Sequence, residues 1–146
     1  DTSVTGVQTC ALPILLSVAP NPATFAYRES LQDWPRWREM GYIEELIVQV
    51  YRDSVDNFRH TLRDRTIQQA QGHIPTGVGI LTGLKNQPVP IGLIQQQVQV
   101  ARDMGFAGVS FFFYDTVWTV ANGETWRDRD RAIQQLFAQP RERSQL

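Results

Sequence analysis

Four short apolar runs recur along this chain at a spacing of about 31 residues, and that period constrains the fold more than any other feature. The runs are Leu15–Ala19 (LLSVA), Glu45–Tyr51 (ELIVQVY), Gly77–Leu81 (GVGIL) and Gly108–Tyr114 (GVSFFFY). Each has the length of a strand, is rich in apolar β-branched or aromatic residues, and is bounded by Gly, Pro or charge. Helical patterns fill the gaps. Leu31, Trp34 and Trp37 share a face, with Pro35 near the first turn and Gly41 as a stop signal. Val55, Phe58, Leu62 and Ile67 make a second stripe. Ile91, Ile94, Val98, Ala101 and Met104 make a third, which opens at Pro90 and closes at Gly105. Trp126, Ile133, Leu136 and Phe137 make the last.

Strand and helix in strict alternation predict an α/β fold with a parallel sheet and crossover helices. A (β/α)8 barrel of about 250 residues has the same period per unit. The expected class is therefore a partial TIM barrel of four βα units, placed as strands five to eight. The alternative is an open, doubly wound four-stranded sheet. That class normally carries a Gly-rich phosphate turn after its first strand, and here the first strand runs into Pro20-Asn21-Pro22. Side-chain parity also favours a barrel. Leu16, Val18, Val48, Val50, Val78, Ile80, Val109, Phe111 and Phe113 are large and apolar, suited to packing under helices. The alternate set turns small or polar, as a barrel lumen should: Ser17, Ala19 and Asn21; Ile47, Gln49 and Tyr51; Gly77, Gly79 and Leu81; Ser110, Phe112 and Tyr114.

The two ends are expected to stand apart from this domain. Asp1–Ile14 (DTSVTGVQTCALPI) shows neither period and lacks the basic and apolar regions of a signal peptide. It resembles the translated sequencing-adapter read-through seen at broken ends of metagenomic reading frames. The expected division is a leader over 1–14, a half-barrel over 15–139 and a tail over 140–146, so that this chain is the C-terminal piece of a longer protein. The balance of 14 Lys+Arg against 15 Asp+Glu leaves no basic field for nucleic acid. No apolar run approaches the roughly 20 residues of a membrane span. The single cysteine, Cys10, excludes a disulfide framework. His60 and His73 lack metal-ligand spacing, and neither a metal nor a cofactor is expected.

Barrel enzymes work at the C-terminal ends of their strands. The candidate residues there are Asn21, then Gln49, Tyr51 and Arg52, then Tyr114, Asp115 and Trp118. An amide in an apolar strand must be hydrogen-bonded or face a wet pocket, and both roles are open to Gln49. Tyr51 and Tyr114 can stack on a sugar face or close the barrel top. Trp118 can be a sugar platform or a staple of the mouth. Asp115 is the one carboxylate directly at a strand end, whereas glycoside hydrolysis normally needs two carboxyl groups flanking the bond. Glu29 and Asp53 lie in loops and are weaker candidates. Gly79 is expected to leave room below a pocket formed by Gln49, Tyr51, Tyr114 and Asp115. The run Glu124–Arg131 (ETWRDRDR) alternates in sign and reads as a solvated helix face, which makes Arg129 dispensable. Gln68, Gln69, Gln95, Gln96, Gln97, Gln134 and Gln135 are placed on helix exteriors.

Taken together, the stretches LLSVAPNPATFAY and LQDWPRWREMGYIEELIVQVYR, with the closing GFAGVSFFFYDTVW, resemble the C-terminal half of the glycosyl hydrolase-like family ten proteins, bacterial relatives of the glycosidase barrels. In that family a serine-proline turn closes one strand, a Trp-rich helix with a Gly stop follows, and the next strand ends in Gln-x-Tyr. Here those are Pro20-Asn21-Pro22, Trp34 to Gly41, and Gln49-Val50-Tyr51. The resemblance covers residues 15 to 118. It implies a TIM barrel that hydrolyses glycosidic bonds in polysaccharide or cell-wall glycan, with a carbohydrate as partner. It also implies that the main catalytic carboxylate sits in a preceding half that this chain lacks, so the chain alone is inactive. The final strand ends in Asp115, where the family pattern leads one to expect the longer Glu at least as often. Two other functions stay open on the residues alone: a carbohydrate-binding barrel without catalysis, floored by Gln49, Tyr51 and Trp118, and a small complete α/β interaction domain.

Overall fold

The computed structural model describes residues 14–84, 87–121 and 123–139. Four parallel strands form the main sheet: β1 (Ser17–Val18), β2 (Glu45–Gln49), β3 (Thr76–Leu81) and β6 (Gly108–Phe112). A short antiparallel pair, β4 (Gly83–Leu84) and β5 (Gln87–Pro88), follows β3. The helices are α1 (Ala23–Ser30), α2 (Trp34–Glu39), α3 (Val55–Leu62), α4 (Arg65–Gln71), α5 (Ile91–Asp103), α6 (Tyr114–Val117) and α7 (Trp126–Leu136). Among the described residues no helix is long and apolar enough to cross a membrane. The expected tail and all of the expected leader except Ile14 lie outside the described residues, and Cys10 with them.

The main sheet runs β1-β2-β3-β6, in chain order, with registers Leu46↔Thr76 and Val78↔Val109 among its pairs. A doubly wound sheet must reverse its order at a switch point, and this one does not. The α/β class with a parallel sheet is thus as expected. Parity is as expected over β2 and β3, but Leu16, expected to pack under helices, is 50% exposed. Leu46, Val48, Val50, Val78 and Ile80 are buried in one core with Trp34, Phe58, Leu62, Ile67, Ile94, Val98 and Ala101 from the helices. Ile47, Gln49, Ser110 and Phe112, on the other face, are no part of that core.

Local chemistry explains the helix boundaries. Ser54 Oγ accepts from Asn57 N (3.3 Å) and Asp64 Oδ1 from Thr66 N (2.8 Å), each satisfying an orphan donor of a first turn. Gly105, at φ +76°, ends α5, the longest helix among the described residues, one residue past its C-cap. These caps also divide two elements that periodicity reads as one. The stripe from Val55 to Ile67 is two helices, because Asp64 starts a new one between Leu62 and Ile67. Leu31 does not share a buried face with Trp34: it takes the left-handed conformation that ends α1 and is 85% exposed. The helix α1 itself and the β4–β5 pair have no counterpart in the periodicity.

The largest departure is Arg129. The solvated face expected for Glu124–Arg131 is wrong at its centre, where Arg129 is fully buried. Its guanidinium donates to Val89 O (3.0 Å), Thr82 O (3.3 Å), Thr116 O (3.2 Å) and Val117 O, and pairs with Glu124 Oε2 at 3.0 Å. Glu124 in turn accepts from the Ile91 N–H at the start of α5 (2.6 Å). Spacing explains the burial: Arg129, Ala132, Ile133 and Leu136 follow one another by three, one and three residues, so Arg129 occupies the apolar stripe of α7. Gln97, also expected outside, is 1% exposed.

Two outcomes follow. Arg129→Ala strips donors from buried carbonyls and leaves Glu124 without its partner, so urea unfolding should show a loss of about 3–5 kcal/mol, with Arg129→Lys recovering little of it. Asp128, at the start of α7, accepts from the Thr125 hydroxyl (2.6 Å) and the Thr125 N–H (3.2 Å), and these bonds hold its carboxyl below the usual range. A carboxylate with a lowered folded pKa stabilises above its unfolded pKa and loses that contribution as pH falls through the folded value. Asp128→Asn should therefore lower the urea midpoint at pH 7, and the gap to the parent should close in acid.

Candidate functional site

The C-terminal ends of β1 and β2 gather four of the candidate residues. Gln49 ends β2, and its Nε2 donates to Ala19 O at 2.6 Å while its backbone N–H donates to Pro20 O at 2.8 Å. Of the two roles open to this amide, its N–H is thus spent on holding the end of β1. The turn that follows is anchored from below, where the buried Trp34 donates Nε1–H to Asn21 O at 3.0 Å. Gly79 leaves no room in the floor: a Cβ there would sit 3.3 Å from Gln49 Cα and 3.4 Å from Val48 O. The glycine lets β2 and β3 approach, and the space expected for a ligand is filled by the β2 backbone.

Arg52 lies between two clefts and lines both. One, of about 540 Å3, is also lined by Tyr51, Asp53, Leu81, Leu84, Gln87 and Leu93. The other, of about 520 Å3, is also lined by Asn21, Thr24, Phe25, Arg28, Glu29 and Asp64. Arg52 Nε donates to Thr61 Oγ1 (3.1 Å) and Nη1 to Tyr51 O (2.8 Å). The Arg52 carbonyl accepts from Gln97 Nε2 at 2.8 Å. That buried amide fixes the rim from within α5, and its signal is legible: Gln97 stands three residues after Ile94 and four before Ala101, on the apolar stripe. Tyr51 stacks on Phe112 with ring centres 5.6 Å apart, and burial raises its hydroxyl pKa, so the group stays protonated and able to donate at neutral pH.

The other three candidates form a second group. Tyr114 and Asp115 open α6 and Trp118 caps it; Tyr114 and Trp118 meet edge to face at 6.4 Å. All three are exposed and line neither cleft. The aromatic contact Tyr51–Phe112, followed by Phe112–Phe113 at 5.4 Å, joins the two groups along the rim. Position is set from beneath by Thr116, a residue that no motif or spacing singles out. Its hydroxyl shares a 2.8 Å hydrogen bond with Thr82 Oγ1, and its carbonyl is held by Arg129.

Chemically, the clefts offer amide, guanidinium and carboxylate groups beside apolar and aromatic surface. Among the described residues no three His, Cys, Asp or Glu side chains converge on a metal site. No curated protein and no solved structure matches the chain. A family model described as glycosyl hydrolase-like 10 matches residues 6–101. The match takes in β1 to β3, both clefts and Asn21, Gln49, Tyr51 and Arg52, while Tyr114, Asp115 and Trp118 lie beyond it. It spans well over half of the chain, and the chain belongs to the glycosyl hydrolase-like 10 family.

Proposed function

We propose that this chain is the C-terminal half of a (β/α)8 barrel that hydrolyses glycosidic bonds in polysaccharide or cell-wall glycan. The observation that carries the reading is the chain-order parallel sheet with its helix core on one face, the arrangement from which such a barrel is built. Family membership supplies the chemistry. In this reading Asn21 and Arg52 bind sugar hydroxyls, Tyr51 offers its ring and a donating hydroxyl, and Gln49 holds the β1 turn while presenting its Oε1. Tyr114 and Trp118 give the sugar a second aromatic surface across the mouth.

Glycoside hydrolysis takes one group to protonate the leaving oxygen and a carboxylate to attack the sugar or activate water. Here Asp115 assists, as a carboxylate at a strand end or as an acceptor of a sugar hydroxyl. The principal acid belongs to the preceding half, and the chain alone is inactive. A carbohydrate-binding barrel without catalysis is the second reading. It is favoured by one fact: Asp115 lines neither cleft.

The test uses the complete barrel acting on a glycan. Asp115→Asn and Arg52→Ala should each lower kcat/KM more than tenfold, about 1.4 kcal/mol or more of transition-state binding, while Arg131→Ala on exposed α7 surface leaves it unchanged. If Asp115→Asn leaves turnover intact and Arg52→Ala weakens only binding, the second reading stands. If neither variant has an effect, the site is elsewhere.

A further inference from the structure

We propose that Thr82 and Thr116 are positioning residues: their paired hydroxyls fix the segment that presents Asp115 to the substrate. The inference rests on the hydrolase reading, in which Asp115 assists, and names what aims that carboxylate.

Both threonines are buried, and neither lines a cleft. A buried hydroxyl must find partners. The two Oγ1 atoms lie 2.8 Å apart. Thr116 Oγ1 also accepts from Phe113 N (3.3 Å), and Thr82 Oγ1 donates to Phe112 O (3.1 Å). One order uses each hydrogen once. Phe113 N–H donates to Thr116 Oγ1, the Thr116 hydroxyl to Thr82 Oγ1, and the Thr82 hydroxyl to Phe112 O. The chain begins and ends on adjacent residues of the segment that leads into α6, and bonds linked in this way strengthen one another. Phe113 O, 3.2 Å from one hydroxyl and 2.9 Å from the other, is an alternative acceptor on the same segment. Backbone bonds close the unit: Thr82 N donates to Phe112 O (2.8 Å) and Thr116 N to Phe113 O (3.1 Å).

Gly83 keeps the pair in contact. Its φ is +154°, and a Cβ there would stand 3.0 Å from Thr116 Cβ, so a side chain at this position would push α6 away. Asp115 stands inside the segment so held. Its carbonyl accepts from Thr119 Oγ1 (3.3 Å), while among the described residues its carboxylate has no hydrogen-bond or ion-pair partner. A carboxylate without a partner takes its place from the backbone that carries it. Fixing residues 112 to 116 therefore fixes Asp115, and a reacting group displaced by about 1 Å loses much of its effect. The same segment carries Phe112, on which Tyr51 stacks, so the pair sets both groups of candidate residues.

The test uses the complete barrel, with soluble polysaccharides and cell-wall glycan strands as probes, released reducing ends as one readout and hydrogen exchange at the Phe113 amide as the other. Thr116→Val, and the double variant Thr82→Val with Thr116→Val, keep the shape and remove the hydroxyls. Removing both partners together is nearly neutral for stability, which secures a folded variant. Each should speed Phe113 exchange roughly fivefold or more and lower kcat about tenfold with KM within about twofold, and Thr116→Ser should restore both readouts. In an Asp115→Asn background, Thr116→Val should cost less than about twofold in further turnover, because the group it aims is gone. Unchanged Phe113 exchange overturns the hydroxyl clamp. Losses that multiply with that of Asp115→Asn, or that Thr116→Ser does not restore, overturn positioning through Asp115 and leave the hydrolase reading intact. If Asp115→Asn is silent, or the parent barrel turns over none of the probes, the hydrolase reading fails and takes this proposal with it.

Discussion

A guanidinium removed from water must find acceptors for its N–H groups, and in this fold Arg129 finds them on four carbonyls and one carboxylate. The carbonyls come from the end of β3, the segment after β5, and α6. One side chain on α7 therefore ties the ends of β3 and β5 to α6. The arrangement is costly to break because each lost donor strands an acceptor in a dry environment.

The rim on the other side of the sheet obeys the same logic with weaker groups. Trp34 and Gln97 are buried side chains whose single polar function is to hold a backbone carbonyl, that of Asn21 in one case and Arg52 in the other. Gln49 does the same for Ala19. The backbone of Asn21 and Arg52, which line the clefts, is thus held from the core. Positioning from within a rigid scaffold is what a binding site on loops requires.

Much of this was legible in the residues. Short apolar runs located all four main strands, and the stripe from Ile91 to Met104 fell on the observed α5, because packing against a sheet demands those spacings. What was lost has specific causes. Asp64 caps a new helix inside an apolar stripe, and a stripe cannot register a cap. Arg129 and Gln97 sit at core positions of their helices, yet residue type suggested solvent; the carbonyls they hold lie 12 to 47 residues away, beyond any local pattern. One of the two clefts depends on Leu84 and Gln87, from two-residue strands too short to have a period. The candidates on β1 and β2 converge, but nothing in their spacing could show that Tyr114 and Asp115 begin a separate helix.

The chain-order sheet has a consequence for how the protein is made. As synthesis proceeds, each new strand meets a neighbour completed about 30 residues earlier, so pairing never waits for a distant segment. Arg129 is the exception. The carbonyls of Thr82 and Val89 precede it by 47 and 40 residues, and until α7 leaves the ribosome they have no guanidinium to accept from. The bonds that Arg129 makes to these carbonyls can therefore form only after α7 has been made, later than the strand pairs.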